Sequence, residues 1–145
     1  MLRLVIGINL FGISFALFGI HLRPTQSVGV RGTLLCNGRP ESNVLVKLYD
    51  HDTFTLDDLM AKGKSDSRGQ FLLNGKANEI SRVTPRLNIY HDCNDGLMPC
   101  QRKLTIEIPK SFITRGGSNP QQIYDIGALE LANKVKGESR DCLHK

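Results

Sequence analysis

At 145 residues the chain has room for one ordinary domain, and 40% apolar with 23% charged residues is the composition of a globular protein rather than a disordered or fibrous one. A formal charge of +5 is mildly basic, but aromatic residues make up only 6% and Trp is absent. That balance argues against a nucleic-acid binder that works by base stacking, so no nucleic-acid partner is expected.

Residues 1–20 hold 14 apolar side chains after a short start carrying Arg3, and no acidic residue precedes Glu41. This reads as a secretory signal peptide. The apolar run from Leu4 to Ile20 is 17 residues long and is broken by Gly7, Asn9, Gly12, Ser14 and Gly19. A membrane span needs roughly 20 mostly apolar residues, so the run is short for an anchor. Small residues at cleavage spacing occur at Ser14 with Ala16 and at Thr25 with Ser27. Cleavage is therefore expected between residues 16 and 27, with the folded domain at 28–145.

The mature chain alternates short apolar strands with clusters of Gly, Asn, Pro and Asp, the pattern of an all-β sandwich or barrel. Val28, Val30, Gly32 and Leu34 form one face of a first strand that ends at Cys36, and Asn37–Pro40 turns the chain. Val44, Val46 and Leu48 mark the core face of a second strand. The acidic stretch DHDTFTLDD, residues 50–58, is a connection, and Leu59–Lys64 a short edge strand. Phe71 and Leu73 lie on the next strand. Residues 76–84 are the one place where a helix of barely two turns is expected. Arg86–Asp92 and Gln101–Ile108 read as a consecutive antiparallel pair, closed by Pro109, which cannot donate to a ladder. Ser111–Thr114 is a further short strand. Ile123–Leu131 is the last, with Gly127 at a bulge, and the tail from Ala132 is polar up to Cys142. The count is seven or eight strands.

In an oxidising extracellular setting Cys36, Cys93, Cys100 and Cys142 are expected to pair, with three connectivities open. Cys93 and Cys100 flank the loop between two facing strands, which predicts a local bridge, leaving Cys36 with Cys142. Their spacing is poor for zinc, and no metal or other cofactor is expected.

Several segments, namely SVGVRGTLLCNGRP, VKLYDHDT, DDLMAKGKSDSRGQFLLNG, IYHDCNDG, PCQRKLTIEIPKSFIT, YDIGALEL and GESRDCLH, resemble the nematode transthyretin-like family. The resemblance runs from about Ser27 to His144. It implies a secreted transthyretin-like sandwich of two antiparallel sheets with the four cysteines in two bridges. Transthyretin itself binds a small hydrophobic hormone between subunits, and its enzyme relatives hydrolyse 5-hydroxyisourate. Those enzymes depend on paired histidines, an arginine and a C-terminal Tyr-Arg-Gly-Ser tail. This chain ends Arg140-Asp141-Cys142-Leu143-His144-Lys145, so no residue carries over as catalytic and no enzyme is expected.

The residues point instead to a binding or carrier module for a lipid, another small apolar ligand, a cell-surface protein or an anionic membrane. Lys62, Lys64, Arg68 and Lys76 fall on or beside one predicted edge region, and Arg102 and Lys103 adjoin a tip carrying Leu97 and Met98. A cationic rim around an apolar tip suits an anionic phospholipid surface; the same charges also protect sheet edges and keep a domain soluble. His91 with Asp92 and Asp95 is a candidate acid–base group, against the simpler role of Asp92 and Asn94 in bonding their own turn. Asp50, His51, Asp52, Asp57 and Asp58 are candidate calcium ligands, although they lack EF-hand spacing, and a solvated acidic connection is the plainer reading. Oligomeric state is left open by the sequence.

Overall fold

The computed structural model describes residues 24–143. The leader expected over residues 1–20 lies outside them. Among the described residues no helix is long and apolar enough to cross a membrane. The first strand, β1 (Thr25–Cys36), starts three residues before Val28 and is the axis of one sheet. On one side of it run β5 (Gln70–Asn78) and the short return strand β2 (Arg39–Pro40); on the other run β8 (Thr114–Arg115) and β9 (Ile123–Glu130). The second sheet holds β3 (Leu45–Asp50), β4 (Asp58–Lys64), β6 (Pro85–His91), β7 (Gln101–Glu107) and β10 (Ser139–Asp141), in the order β10-β7-β6-β3-β4. Every pairing is antiparallel except β1 with β9, which is parallel. That exception follows from β8, which runs antiparallel along the start of β1 before the loop 116–122 reverses the chain.

The period-two alternation puts Val28, Val30 and Leu34 of β1 and Phe71 and Leu73 of β5 against Val46 and Leu48 of β3, Leu87 and Ile89 of β6 and Leu104 of β7. Each such side chain taken out of water stabilises the fold by about 1.5–3 kcal/mol. Gly32 lies on this inner face because Ile126 of β9 and the Phe71 ring fill the space its side chain would need. Gly127 has φ +74°, and the β1–β9 register slips by one residue there: Arg31 faces Asp125 and Thr33 faces Ala128. The expected bulge is thus present, and the Asp125 carboxylate accepts the Gly127 N–H at 2.8 Å. At the β4–β5 turn Gly69 has φ +74°, and a Cβ there would overlap the Leu34 carbonyl oxygen, so only glycine lets this turn press against β1.

Three expectations about the secondary-structure elements are corrected. Residues 76–84 contain no helix: β5 continues to Asn78, paired with Thr25, and the following bends are held by Gln26. The fully buried Gln26 amide donates to the carbonyls of Glu79 (3.2 Å) and Ser81 (2.7 Å) and accepts from Val83 N–H (3.0 Å), satisfying backbone groups that a helix would have paired internally. Ser111–Thr114 is not a strand; a 3₁₀ turn spans Lys110–Phe112 and only Thr114 enters a ladder. The polar tail supplies a strand of its own, β10, so the strand count among the described residues is ten rather than seven or eight, three of them only two or three residues long.

The disulfides are Cys36–Cys93 and Cys100–Cys142, not Cys93–Cys100 and Cys36–Cys142. Cys93 continues the inward face of Leu87, Ile89 and His91, which directs it at the other sheet, where β1 ends at Cys36. Cys100 instead extends the β7–β10 register, in which Arg102 faces Arg140 and Gln101 faces Asp141, and so meets Cys142. One bridge therefore staples sheet to sheet and the other staples the tail to the edge of β7.

Candidate functional site

The end of the sandwich at Cys93 holds the densest polar chemistry. Arg102 faces His91 across β7 and β6, pointing inward, and is only 3% exposed. Its guanidinium donates to both carboxylate oxygens of Glu138 in the tail, to the Cys93 carbonyl (2.8 Å) and to the Asn133 carbonyl (3.3 Å). Beside it Arg140 donates to both oxygens of Asp95 at 2.7 and 2.6 Å, and these hydrogen bonds hold the Asp95 carboxyl below the usual carboxylate range. The candidate acid–base group does not assemble. Asp95 is committed to Arg140, Asp92 accepts from the Gln101 amide at 2.8 Å, and the buried His91 accepts the Cys93 N–H on Nδ1 at 3.1 Å.

Burial, with a smaller contribution from the Arg102 charge, pushes the His91 pKa below its ordinary value of 6.5; Glu138, Asp92 and Asp95 oppose this without reversing it. Native His91 is therefore neutral where the unfolded chain begins to take up a proton. Stability then falls as pH drops below about 6.5 toward the native pKa, because the unfolded state binds more protons in that window. A His91→Asn variant, which keeps an acceptor for Cys93 N–H, is expected to lose this part of the slope. Urea unfolding from about pH 5 to pH 7.5 checks it, and equal slopes in the two proteins would remove His91 from the account.

At the opposite end of β3 and β6 lies the acidic connection. Asp52 accepts the N–H groups of Phe54 (2.8 Å) and Thr55 (3.3 Å), and Asp57 accepts the Asp52 N–H and meets His51 Nδ1, both at 3.0 Å. Asp52 and Asp57 thus brace their own loop. Asp50, Asp58 and Glu79 have carboxylate oxygens within 4.8 Å of one another, Glu79 being a neighbour that spacing alone did not suggest. Burial raises the Asp50 pKa, and the Thr84 N–H at 2.8 Å partly offsets that.

The six basic residues singled out in the sequence are not one patch. Lys62 and Lys64 are exposed on β4, facing Lys47 and Leu45 of β3 across the outer surface of the second sheet. Lys103 joins the same surface from β7, 5.9 Å from the Tyr90 ring centre and 3.9 Å from Asp141; Lys47 lies 5.6 Å from the same ring. Arg102 points the other way and is consumed by Glu138. Lys76 is on the outer surface of the first sheet, opposite Ser27, and Arg68 is in the β4–β5 turn. Parity explains the split, since neighbours such as Arg102 and Lys103 face opposite sides of one strand. A groove of about 300 Å³, lined by Asn43, Leu45, Lys64, Asp92, Met98, Pro99 and Gln101, runs from Lys64 to Met98, next to the exposed Leu97. A larger open depression, about 440 Å³, lies over β1 and β5 around Arg31, Gln70 and Leu72.

The sequence model of the Transthyretin-like family matches residues 31–109. Transthyretin-like protein 5 of Caenorhabditis elegans is 51% identical over 144 residues, spanning 99% of this chain and 100% of its own. The chain belongs to the Transthyretin-like family. Transthyretin-like proteins 33 and 2 of the same organism are 53% and 45% identical, each over 83% of this chain and over 85% and 84% of their own. A solved 9R-lipoxygenase from Cyanothece superposes on 73% of this chain and 16% of its own at TM-score 0.41 and 21% identity, a likeness too slight to bear on function. In this transthyretin-like chain His51 follows β3 and His91 ends β6, at opposite ends of the second sheet, so these two histidines do not meet. The tail network of Arg102, Glu138, Asp95 and Arg140 escaped sequence reading, although an arginine at an inward position of a strand was a signal that it had a buried partner.

Proposed function

We propose that this transthyretin-like protein is a secreted, non-enzymatic binding module that engages an anionic phospholipid surface. The observation that carries this reading is the groove in which Lys64, Leu45 and Met98 meet, with Asp92, already held by Gln101, as its one carboxylate, beside Lys62 and Lys47 on the same sheet face and next to the exposed Leu97. Cations near an anionic leaflet each contribute about 1 kcal/mol, and an apolar tip adds burial in the interfacial region. The packed interior between the sheets supports a surface mode over a carrier mode, since Val30, Val46, Leu48, Leu87 and Ile89 fill it. The separation of His51 from His91 supports the non-enzymatic part.

Flotation with vesicles containing phosphatidylserine, against vesicles of phosphatidylcholine alone, tests the membrane part. Binding is expected only to the former, weaker at high salt, and reduced roughly tenfold or more by Lys62→Glu with Lys64→Glu. Binding indifferent to both lipid and salt would defeat it. Two disulfides and the apolar leader support secretion. Gln26 is buried and holds three backbone groups of residues 79–83, so processing after Ser27 would remove a structural side chain. The mature chain is expected to begin at or before Gln26, which N-terminal sequencing of the secreted protein checks.

A further inference from the structure

We propose that the end of the sandwich formed by the β3–β4 loop and the β5–β6 connection docks a protein partner whose surface offers apolar sockets ringed by Lys and Arg. This inference does not rest on the phospholipid reading, whose residues lie at the other end of the second sheet. Phe54 is 94% exposed, Leu56 89% and Ile80 65%, and half of Leu59 is open beside them. Register and hydrogen bonding bring the two segments to one end. Asp50 pairs with Pro85 and with Asp58, the His51 N–H donates to the Thr84 carbonyl at 2.8 Å, and the Thr84 N–H donates to Asp50. The carboxylates of Asp50, Asp58 and Glu79 close the join.

The β3–β4 loop is held open: Asp52 accepts from Phe54 and Thr55, and Asp57 accepts from Asp52 and meets His51, so its two apolar side chains, Phe54 and Leu56, stand on a braced backbone. Preorganisation of this kind lowers the ordering cost of binding. Four large apolar side chains left open on two segments that the register brings to one end, with carboxylates beside them, make a surface suited to a partner.

The charge around them selects the partner. Asp52, Asp57 and Asp58 share the loop of Phe54 and Leu56, and Glu79 adjoins Ile80, with Arg82 the cation in the same connection and His51 engaged by Asp57. On a chain of net charge +5 this end is locally acidic, and an anionic membrane would be repelled by it. A basic protein face with room for Phe54 and Leu56 gains both burial and electrostatic complementarity.

Amide NMR of the full mature protein tests this with four defined probes: a peptide alternating Lys and Leu, one alternating Glu and Leu, phosphatidylserine vesicles, and the protein itself at increasing concentration. The Lys/Leu peptide is expected to shift residues 51–59 and 79–82, with affinity falling at least tenfold in Phe54→Ser/Leu56→Ser and weakened by Asp58→Asn/Glu79→Gln. Core amide shifts unchanged from the parent verify that each variant folds. Equal response to the Glu/Leu peptide, shifts of this end by vesicles or by self-concentration alone, or no response to the Lys/Leu peptide would each overturn the proposal. Vesicle flotation of Phe54→Ser/Leu56→Ser is expected to match the parent, so failure here is distinguishable from failure of the phospholipid reading.

Discussion

Replacing Cys36 and Cys93 together by alanine is expected to lower the unfolding free energy by about 4 kcal/mol, a loss read from equilibrium urea unfolding. The residues are 57 apart in sequence, and closing a loop of that length in the unfolded chain accounts for a value of this size on the chain-entropy model. The bridge also joins the last residue of β1 in one sheet to the loop after β6 in the other, so its removal lets the two sheets separate at that end. On the same side Asn37 and Asn94, both with positive φ, exchange side-chain amide hydrogen bonds at 2.8 and 3.0 Å. Those two bonds are too weak to replace a covalent tie, each contributing about 1 kcal/mol. Peptide mapping without reduction should return Cys36 linked to Cys93 and Cys100 linked to Cys142. A Cys93–Cys100 peptide would contradict the cross-sheet arrangement.

Arg102→Ala is expected to cost about 3–5 kcal/mol, because it strands the Glu138 carboxylate in a site with little solvent and removes the donors to two carbonyls. Replacing both partners, as Arg102→Met with Glu138→Leu, should recover most of that loss, since a buried pair exchanged for apolar groups is often neutral. A double-mutant cycle by urea unfolding separates the two outcomes, and a double variant as unstable as Arg102→Ala would mean that the carbonyl bonds matter more than the ion pair. The Arg102 hydrogen bonds hold the Glu138 pKa below its ordinary 4.5. The stability from this pair is therefore present above about pH 4.5 and declines as pH falls through the lower native value, below the window in which His91 acts. Two acid-sensitive steps, imidazole first and carboxylate second, are the expected signature of this end of the fold.

Much of the fold was legible from alternation alone. Val44, Val46 and Leu48, Phe71 and Leu73, and Leu87 and Ile89 all face the core as their spacing implies, and Gly127 sits at the bulge it suggested. Such features are local: the side-chain period of a strand is two whichever neighbour it later acquires. The helix expected over residues 76–84 failed because its backbone partners lie on Gln26, more than fifty positions away. The grouping of basic residues failed for a related reason. Arg68 and Lys76 look adjacent to Lys62 and Lys64 in sequence, but the chain crosses from one sheet to the other between them.

The disulfides mark the same division most sharply. The even cysteine count, with the leader expected from the sequence, leads to the expectation that all four thiols pair, and they do, since that argument needs no neighbour in space. Which cysteine meets which depended on β10, a strand of three residues whose sequence, Ser139-Arg140-Asp141, has no apolar alternation to announce it. It forms because β7 offers an unpaired edge and because Glu138 and Arg140 find Arg102 and Asp95 there. The chain's own residues thus determined fold class, core faces and the full pairing of the thiols. The tertiary structure alone decided the cysteine partners, the burial of Arg102 and the division of the basic residues between the two sheets, because each depends on contacts between segments that only folding brings together.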